Sequence, residues 1–516
     1  MNLLPLLSRG AVALLALPLL GLAQGSLAPT TVPAPTMRTL DQLGTQLDDV
    51  QRRAETRIVL STDTTPGDDS CTYLITRPGS YLLGDSVLVR SERNGIVIAS
   101  SDVTLDLNGY SIEGGAGSFM GIFINATGLS PRERITIRNG MIRNMGGSGI
   151  EAATGVNCAL FADLQIVNVS QGIVLAAGSD HVAQRVQVRK SNAPGLCLAE
   201  TSSTAADCLV QSLGGASANG ANYFGIRAGL VRHCVVADVG VESGMIGIRA
   251  GIAQSCAVNS IVPGAGASSA TGIEASTVRD CTVTGIGDDT AIIITGITAK
   301  NAYDCRVATL KGTRDLVGIS STEVVRGCSV QGLTGSAEGF QCYGIIGGTV
   351  TDSQVLEVRS NASETWGIWA SQVSGCRVDT VGITASSGSV SGIGLRAGGV
   401  AAGNSISAVR SYGIRLTNAG CMVAGNSIYN CNAAGIWSYN DQARIENNLV
   451  ASTTTIAAYG YWIQGGSSLV VGNRATGPYN TAAFSIASAN RFGPIVTTAL
   501  PSGEITATNP WANFAN

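Results

Sequence analysis

An all-β chain wound into a right-handed parallel β-helix solenoid, with a short N-terminal capping helix, is the fold class the sequence predicts. Three observations predict it. A Gly-Ile phrase followed by an alternating strand returns about every 24 residues from Gly121 to Gly435. A second phrase, Cys or Asn two residues before an apolar partner, keeps phase with it from Cys208 to Asn473. Glycine is 66 of 516 residues while aromatics are only 5%, a composition unlike that of helical bundles. Two phrases per period, each alternating in and out, mean at least two strands per turn. Leucine-rich repeats have similar periods but need a denser Leu pattern, which this chain lacks.

Charge and composition exclude other classes. Hydrophobic residues make up 45% of the chain, too many for a disordered protein. The formal net charge is −3, without the basic surplus that nucleic acid binding needs.

The elements follow in chain order. Residues 1–23 read as a secretory signal peptide: Arg9, an apolar run from Ala11 to Leu20, then Gly21-Leu22-Ala23 with small residues at the cleavage positions. Residues 24–38 are a Pro/Thr-rich linker without fixed structure. Thr39 with Gln42 makes a capping-box pattern, and Leu40, Leu43, Leu47 and Val50 form one apolar stripe. This predicts a helix over 39–57 that lids the solenoid. The β-helix then runs over 58–475, with about fifteen to eighteen turns stacked ~4.8 Å apart. Residues 476–516, with Phe484, Phe492, Trp511 and Phe514, are expected to cover the other end.

The second phrase has a physical role. In a parallel stack one slot recurs above itself, so Cys208, Cys234, Cys256, Cys281, Cys305, Cys328 and Cys376 form a column. Ser353 fills one gap, and Asn404, Asn426, Asn448 and Asn473 continue the column, able to bond amide to amide. Stacked Cys side chains point in parallel, a poor geometry for bridging, so they read as free and buried.

Several phrases carry a family resemblance. Ser101–Gly109 (SDVTLDLNG), Tyr110-Ser-Ile112 and Arg134–Gly140 (RITIRNG) resemble secreted bacterial right-handed parallel β-helix repeat proteins of the pectate-lyase-like superfamily. Arg77–Leu83 and Asn509–Phe514 add to the likeness, which spans roughly residues 58–514. The resemblance implies that fold, and it implies lyases, hydrolases, epimerases, tailspikes or non-catalytic surface proteins without choosing among them. Of the polygalacturonase motifs only Asp288-Asp289 is present; His181 and His233 lie upstream of it, and no Arg-Ile-Lys follows. The Trp-Ile-Asp-His phrase of pectate lyases is also missing.

Chemistry is expected on the residue after each inward Ile, because it points outward. That set reads Glu151, Val174, Cys197, Arg227, Arg249, Glu274, Thr298, Ser320, Ile346, Trp369, Gly394, Arg415 and Trp437. Arg227, Arg249 and Glu274, with Asp288 and Asp289 from an entering loop, are the candidate catalytic set. A lyase would use such a base and cation beside a uronate, with no cofactor required, although carboxylates could hold Ca²⁺. The same residues equally suit a salt-bridge ladder in water. Trp369, Arg415, Trp437 and Trp462 are the candidate carbohydrate-binding set, since aromatic faces stack on sugars and Arg recognises acidic groups. His181 and His233 read as ordinary polar residues, and Asp63, Asp68 and Asp69 as a turn. The chain is thus expected to be exported (secreted, periplasmic or cell-surface), without a membrane span in its mature form. Its expected partner is a polysaccharide or surface glycan, with no nucleic acid. The alternatives are a polysaccharide lyase or hydrolase, and a structural adhesin-like protein.

Overall fold

The unit of the fold is visible in one turn. Met245–Gln254 forms a long strand, and Ala257–Pro263 forms a second strand. Each pairs in parallel with its counterpart one turn on, Ser269–Arg279 and Thr282–Ile286. The computed structural model describes residues 57–516 apart from 116, 127–129, 153, 176, 193, 216–222, 242–243, 265–266, 289–291, 336, 383–387 and 498–507. Before these it describes only residues 41, 42 and 45. Residues 1–56 form one unit and Arg57–Asn516 another. The second unit is a parallel β-solenoid of about seventeen turns.

The expected signal peptide, the expected linker and most of the expected capping helix lie outside the described residues. Residues 41, 42 and 45 are helical, and the Thr45 hydroxyl donates to the Asp41 carbonyl at 2.7 Å. At the far end the strands continue for one more turn. Ala482–Ile486 pairs with Tyr459–Ile463, Arg491–Phe492 with the strand Leu469–Val471, and Asn513–Ala515 with the strand Arg474–Thr476. Phe484 stacks on buried Tyr461 at 4.7 Å, whereas Phe492 and Trp511 stay 46% and 61% exposed.

The two sequence phrases touch each other across the core. A Cβ added to Gly247 would lie 2.6 Å from the Gly272 carbonyl oxygen and 2.7 Å from a Val258 methyl. At Gly344 the same distances, to Gly367 and Val355, are both 2.5 Å. These glycines are required by close approach: the Val of the second phrase packs into the space that the Gly of the first leaves. That contact keeps the phrases in phase. The Ile after each Gly (Ile226, Ile248, Ile273, Ile297, Ile319) is fully buried, one column of a continuous apolar core.

The slot column does more than pack. Cys208, Cys256 and Cys305 donate their backbone N–H to the sulfur of Cys234, Cys281 and Cys328, one turn on, each at 3.4 Å. Cys328 donates to Ser353 Oγ at 3.2 Å, and Cys376 to Asn404 Oδ1 at 2.9 Å. The Asn side chains then repeat both an amide bond and a backbone bond from Asn404 through Asn473. The column ends on Asn513, which accepts from the Asn473 backbone N–H at 3.0 Å. All 13 cysteines are free. Burial pushes the Cys376 thiol up to about 11, so it stays protonated and unreactive.

The residue before each slot explains the tight corner. Asp207, His233, Ser255, Asp280, Asp304, Asp352 and Asn447 have φ between 50° and 56°, and Gly327, Gly375, Gly403, Gly425 and Gly472 between 63° and 66°. Left-handed backbone favours Gly, Asn and Asp, the residue types that dominate this column. His233 belongs to it, with Nδ1 3.5 Å from Asp207 Oδ1.

Candidate functional site

The outward column is real and unbroken. Cross-turn pairing joins Glu151, Val174, Cys197, Arg227 and Arg249 in order. It continues through Glu274, Thr298, Ser320, Ile346 and Trp369. Gly394, Arg415, Trp437 and Trp462 complete it. Two members do not face solvent: Cys197 and Gly394 are buried. Gly394 leaves room for a neighbour, since a Cβ there would lie 2.2 Å from the Trp366 ring and 2.9 Å from Trp369.

A first patch forms around the two adjacent arginines. Arg227 and Arg249 both lie over the Phe224 ring, at 5.4 and 5.6 Å from its centroid. Arg249 Nε is 3.4 Å from Glu200 Oε1 and 3.8 Å from Glu274 Oε1, and Arg227 Nε is 3.8 Å from Glu200 Oε1. These are ion pairs of partly exposed groups, each worth about 0–1 kcal/mol. Glu200 and Phe224 escaped the sequence reading. Phe224 precedes its Gly, in a second outward column that the reading did not follow. Glu200 sits in the loop after the strand Leu196–Leu198, two turns from Arg249, where spacing gives no signal. Asp288 lies half-buried in the loop between Thr282–Ile286 and Ile293–Tyr303, and Asp289 falls outside the described residues.

A second patch combines arginine with aromatic rings. Arg396 lies over the Trp369 ring at 4.2 Å. Arg415 lies between Trp366 and Trp437, 5.1 and 5.0 Å from their centroids. Arg415 Nη1 donates to Ser389 Oγ at 2.9 Å and is 3.8 Å from Glu364 Oε1. Trp437 stacks on Tyr412 at 4.6 Å, donates its indole N–H to Gln464 and leans on Trp462 at 5.9 Å. Trp462 stacks on Tyr459 at 4.9 Å. Tyr343 packs against Trp369, and its hydroxyl donates to Gln341 Oε1 at 2.8 Å. Burial, helped by the Glu364 and Asp315 charges, pushes that phenol up to about 12. Trp369, Trp437 and Trp462 are therefore half-buried against neighbours and Trp366 is buried, while Tyr439 at the edge is 67% exposed. The tyrosines were missed because, like Phe224, Tyr343, Tyr412 and Tyr459 precede Gly.

Both patches hold a guanidinium with an unspent donor. The Nε–H groups of Arg227 and Arg396 are buried without a hydrogen-bond acceptor. A buried donor without a partner costs about 1–3 kcal/mol.

The other singled-out residues have structural roles. His181 is fully buried, with Nε2 3.3 Å from the Ala177 carbonyl, and burial holds its imidazole below the ordinary value. Asp68 accepts from the backbone and hydroxyl of Ser70 at 2.8 and 2.6 Å, and Asp69 pairs with Arg93 at 3.2 Å. Among the described residues, no three His, Cys, Asp or Glu side chains converge as a metal site would need. Also among them, no helix is long and apolar enough to cross a membrane.

No protein-family model matches the chain, and no curated protein matches it. Among solved structures it is similar to the A-module of a mannuronan C-5 epimerase from Azotobacter vinelandii. The identity is 11%, covering 85% of this chain and 95% of that one, with a TM-score of 0.19. So remote a likeness bears on neither substrate nor reaction.

Proposed function

We propose that this chain is an exported glycan-binding rod whose outward column holds an acidic polysaccharide without turning it over. The observation that carries the reading is the pair of arginine patches on one straight column. Guanidiniums laid on aromatic rings keep their planar donors in fixed positions, which suits carboxylate or sulfate groups. The aromatic edges beside them suit the apolar faces of sugar rings. Of the carboxylates expected as bases, Glu274 is ion-paired with Arg249, which also pairs with Glu200.

The test is a panel of acidic and neutral polysaccharides, each with and without Ca²⁺, scored for binding and for product. The expected result is binding to the acidic members, weakened at least tenfold by Arg415→Gln, with no unsaturated product and no new reducing ends. Turnover that Arg249→Ala abolishes in a folded protein would replace this reading with the enzymatic one. Absence of binding to every member would overturn it.

A further inference from the structure

The geometry points to a ligand that is a polymer bridging both patches, rather than an oligosaccharide or chain end held at one. This inference rests on the glycan-binding reading and adds the size and mode of the ligand. Arg249 and Arg415 belong to the same column, seven strand-to-strand steps apart. At strand spacing that is ~34 Å. The column pairs turn by turn along this length, so the separation is set by a stiff backbone stack.

Two columns between the patches carry no charged residue: Thr298, Ser320 and Ile346 in one, and Thr271, Thr295 and Val317 in the neighbouring one. Beside them, between the patches, Arg314 lies over the Phe340 ring at 5.4 Å and Asp315 accepts the Gln341 backbone N–H at 2.9 Å. A polyanion crossing these two columns meets hydroxyl and aliphatic side chains, with the opposite charges of Arg314 and Asp315 to one side. Each patch by itself offers two arginines on aromatic rings, whose ion pairs are long, at 3.4 to 3.8 Å. Such a patch binds a short anion weakly. Linking two weak sites by one stiff chain raises affinity by about 10²–10⁴-fold, provided the chain spans them.

The experiment titrates the full chain with a size-fractionated polyuronate and, separately, a size-fractionated sulfated glycan, both at low salt. Oligomers shorter than ~34 Å are expected to bind weakly at two sites per chain. Longer chains are expected to bind one per protein, at least 10²-fold more tightly. Whichever series shows the step identifies the anionic group. Thr298→Glu, at an exposed position outside both patches, is the second arm. It is expected to weaken long-chain binding at least tenfold and to leave short-oligomer binding unchanged. If neither polymer binds the wild-type chain, the glycan-binding reading itself fails. If polymers bind but short oligomers match them in affinity and stoichiometry, bridging is wrong. Unchanged long-chain affinity in a folded Thr298→Glu protein would also contradict it.

Discussion

Asn426 is the most demanding position in the slot column. Its Oδ1 accepts both the backbone N–H and the side-chain amide of Asn404, at 2.9 and 2.8 Å. Its Nδ2 donates to the Ala401 carbonyl at 2.9 Å and to Asn448 Oδ1 at 2.9 Å. All of these groups are sealed from water, since Asn404, Asn426 and Asn448 are 1–2% exposed. Asn426→Leu keeps the volume and removes every one of these bonds. The Asn404 backbone N–H is then orphaned, which costs about 1–3 kcal/mol, and the stranded Asn404 and Asn448 amides add a similar amount. The expected loss is about 2–5 kcal/mol. Asn426→Ser is expected to cost less than the Leu variant. Ser353 shows that a hydroxyl in this slot can accept the preceding N–H, there at 3.2 Å. The assay is urea unfolding, read with amide exchange at Asn404 because solenoids can lose turns locally. If Leu and Ser cost the same, or if Leu costs under about 0.5 kcal/mol, the column is packing alone and the hydrogen-bond account is wrong.

Further predictions follow from the same contacts. Cys281→Ser should be nearly neutral, whereas Cys281→Val should slow refolding or lower the unfolding midpoint, because Cys281 Sγ accepts the Cys256 N–H at 3.4 Å. Gly344→Ala should destabilise by about 1–3 kcal/mol through overpacking, since its methyl would sit 2.5 Å from both Gly367 oxygen and a Val355 methyl. Gly115→Ala, where a Cβ meets nothing within 4 Å, should stay within about 0.5 kcal/mol of wild type, and equal unfolding midpoints for the two would refute the close-approach argument. His181 is held neutral by burial, so the unfolded chain takes up a proton near pH 6.5 before the folded one does. Stability should fall as pH drops below that value, and His181→Leu should flatten the fall; an unchanged profile would show that another group is responsible.

Much of this fold is legible in the residue order, because a solenoid turns sequence period directly into spatial neighbourhood. The Gly-Ile and Cys-x-Val phrases lead to the turn, and the alternation after Ile correctly sends Arg227, Arg249, Trp369, Arg415, Trp437 and Trp462 to one column. What is not legible lies where the period is interrupted. Asn513 completes a column whose previous member is 40 residues back, so no spacing rule reaches it. Glu200 meets Arg249 from a loop, and a loop residue has no parity to assign it a face. Alternation also says nothing of how rings settle: Trp366 folds over Gly394 and buries itself beneath an outward column. The inward turn of His181 was missed for a similar reason. It sits at the start of the strand Val182–Ser191, where the inward and outward phase is not yet set.

Equilibrium binding of a long polyuronate to the full chain, with product absorbance followed in the same sample, tests the functional account most directly. The account predicts saturable, salt-sensitive binding of one polymer per chain, lowered at least tenfold by Arg415→Gln and equally by Arg249→Gln, with no product. Binding that survives both substitutions, or product that accumulates with time, would contradict it.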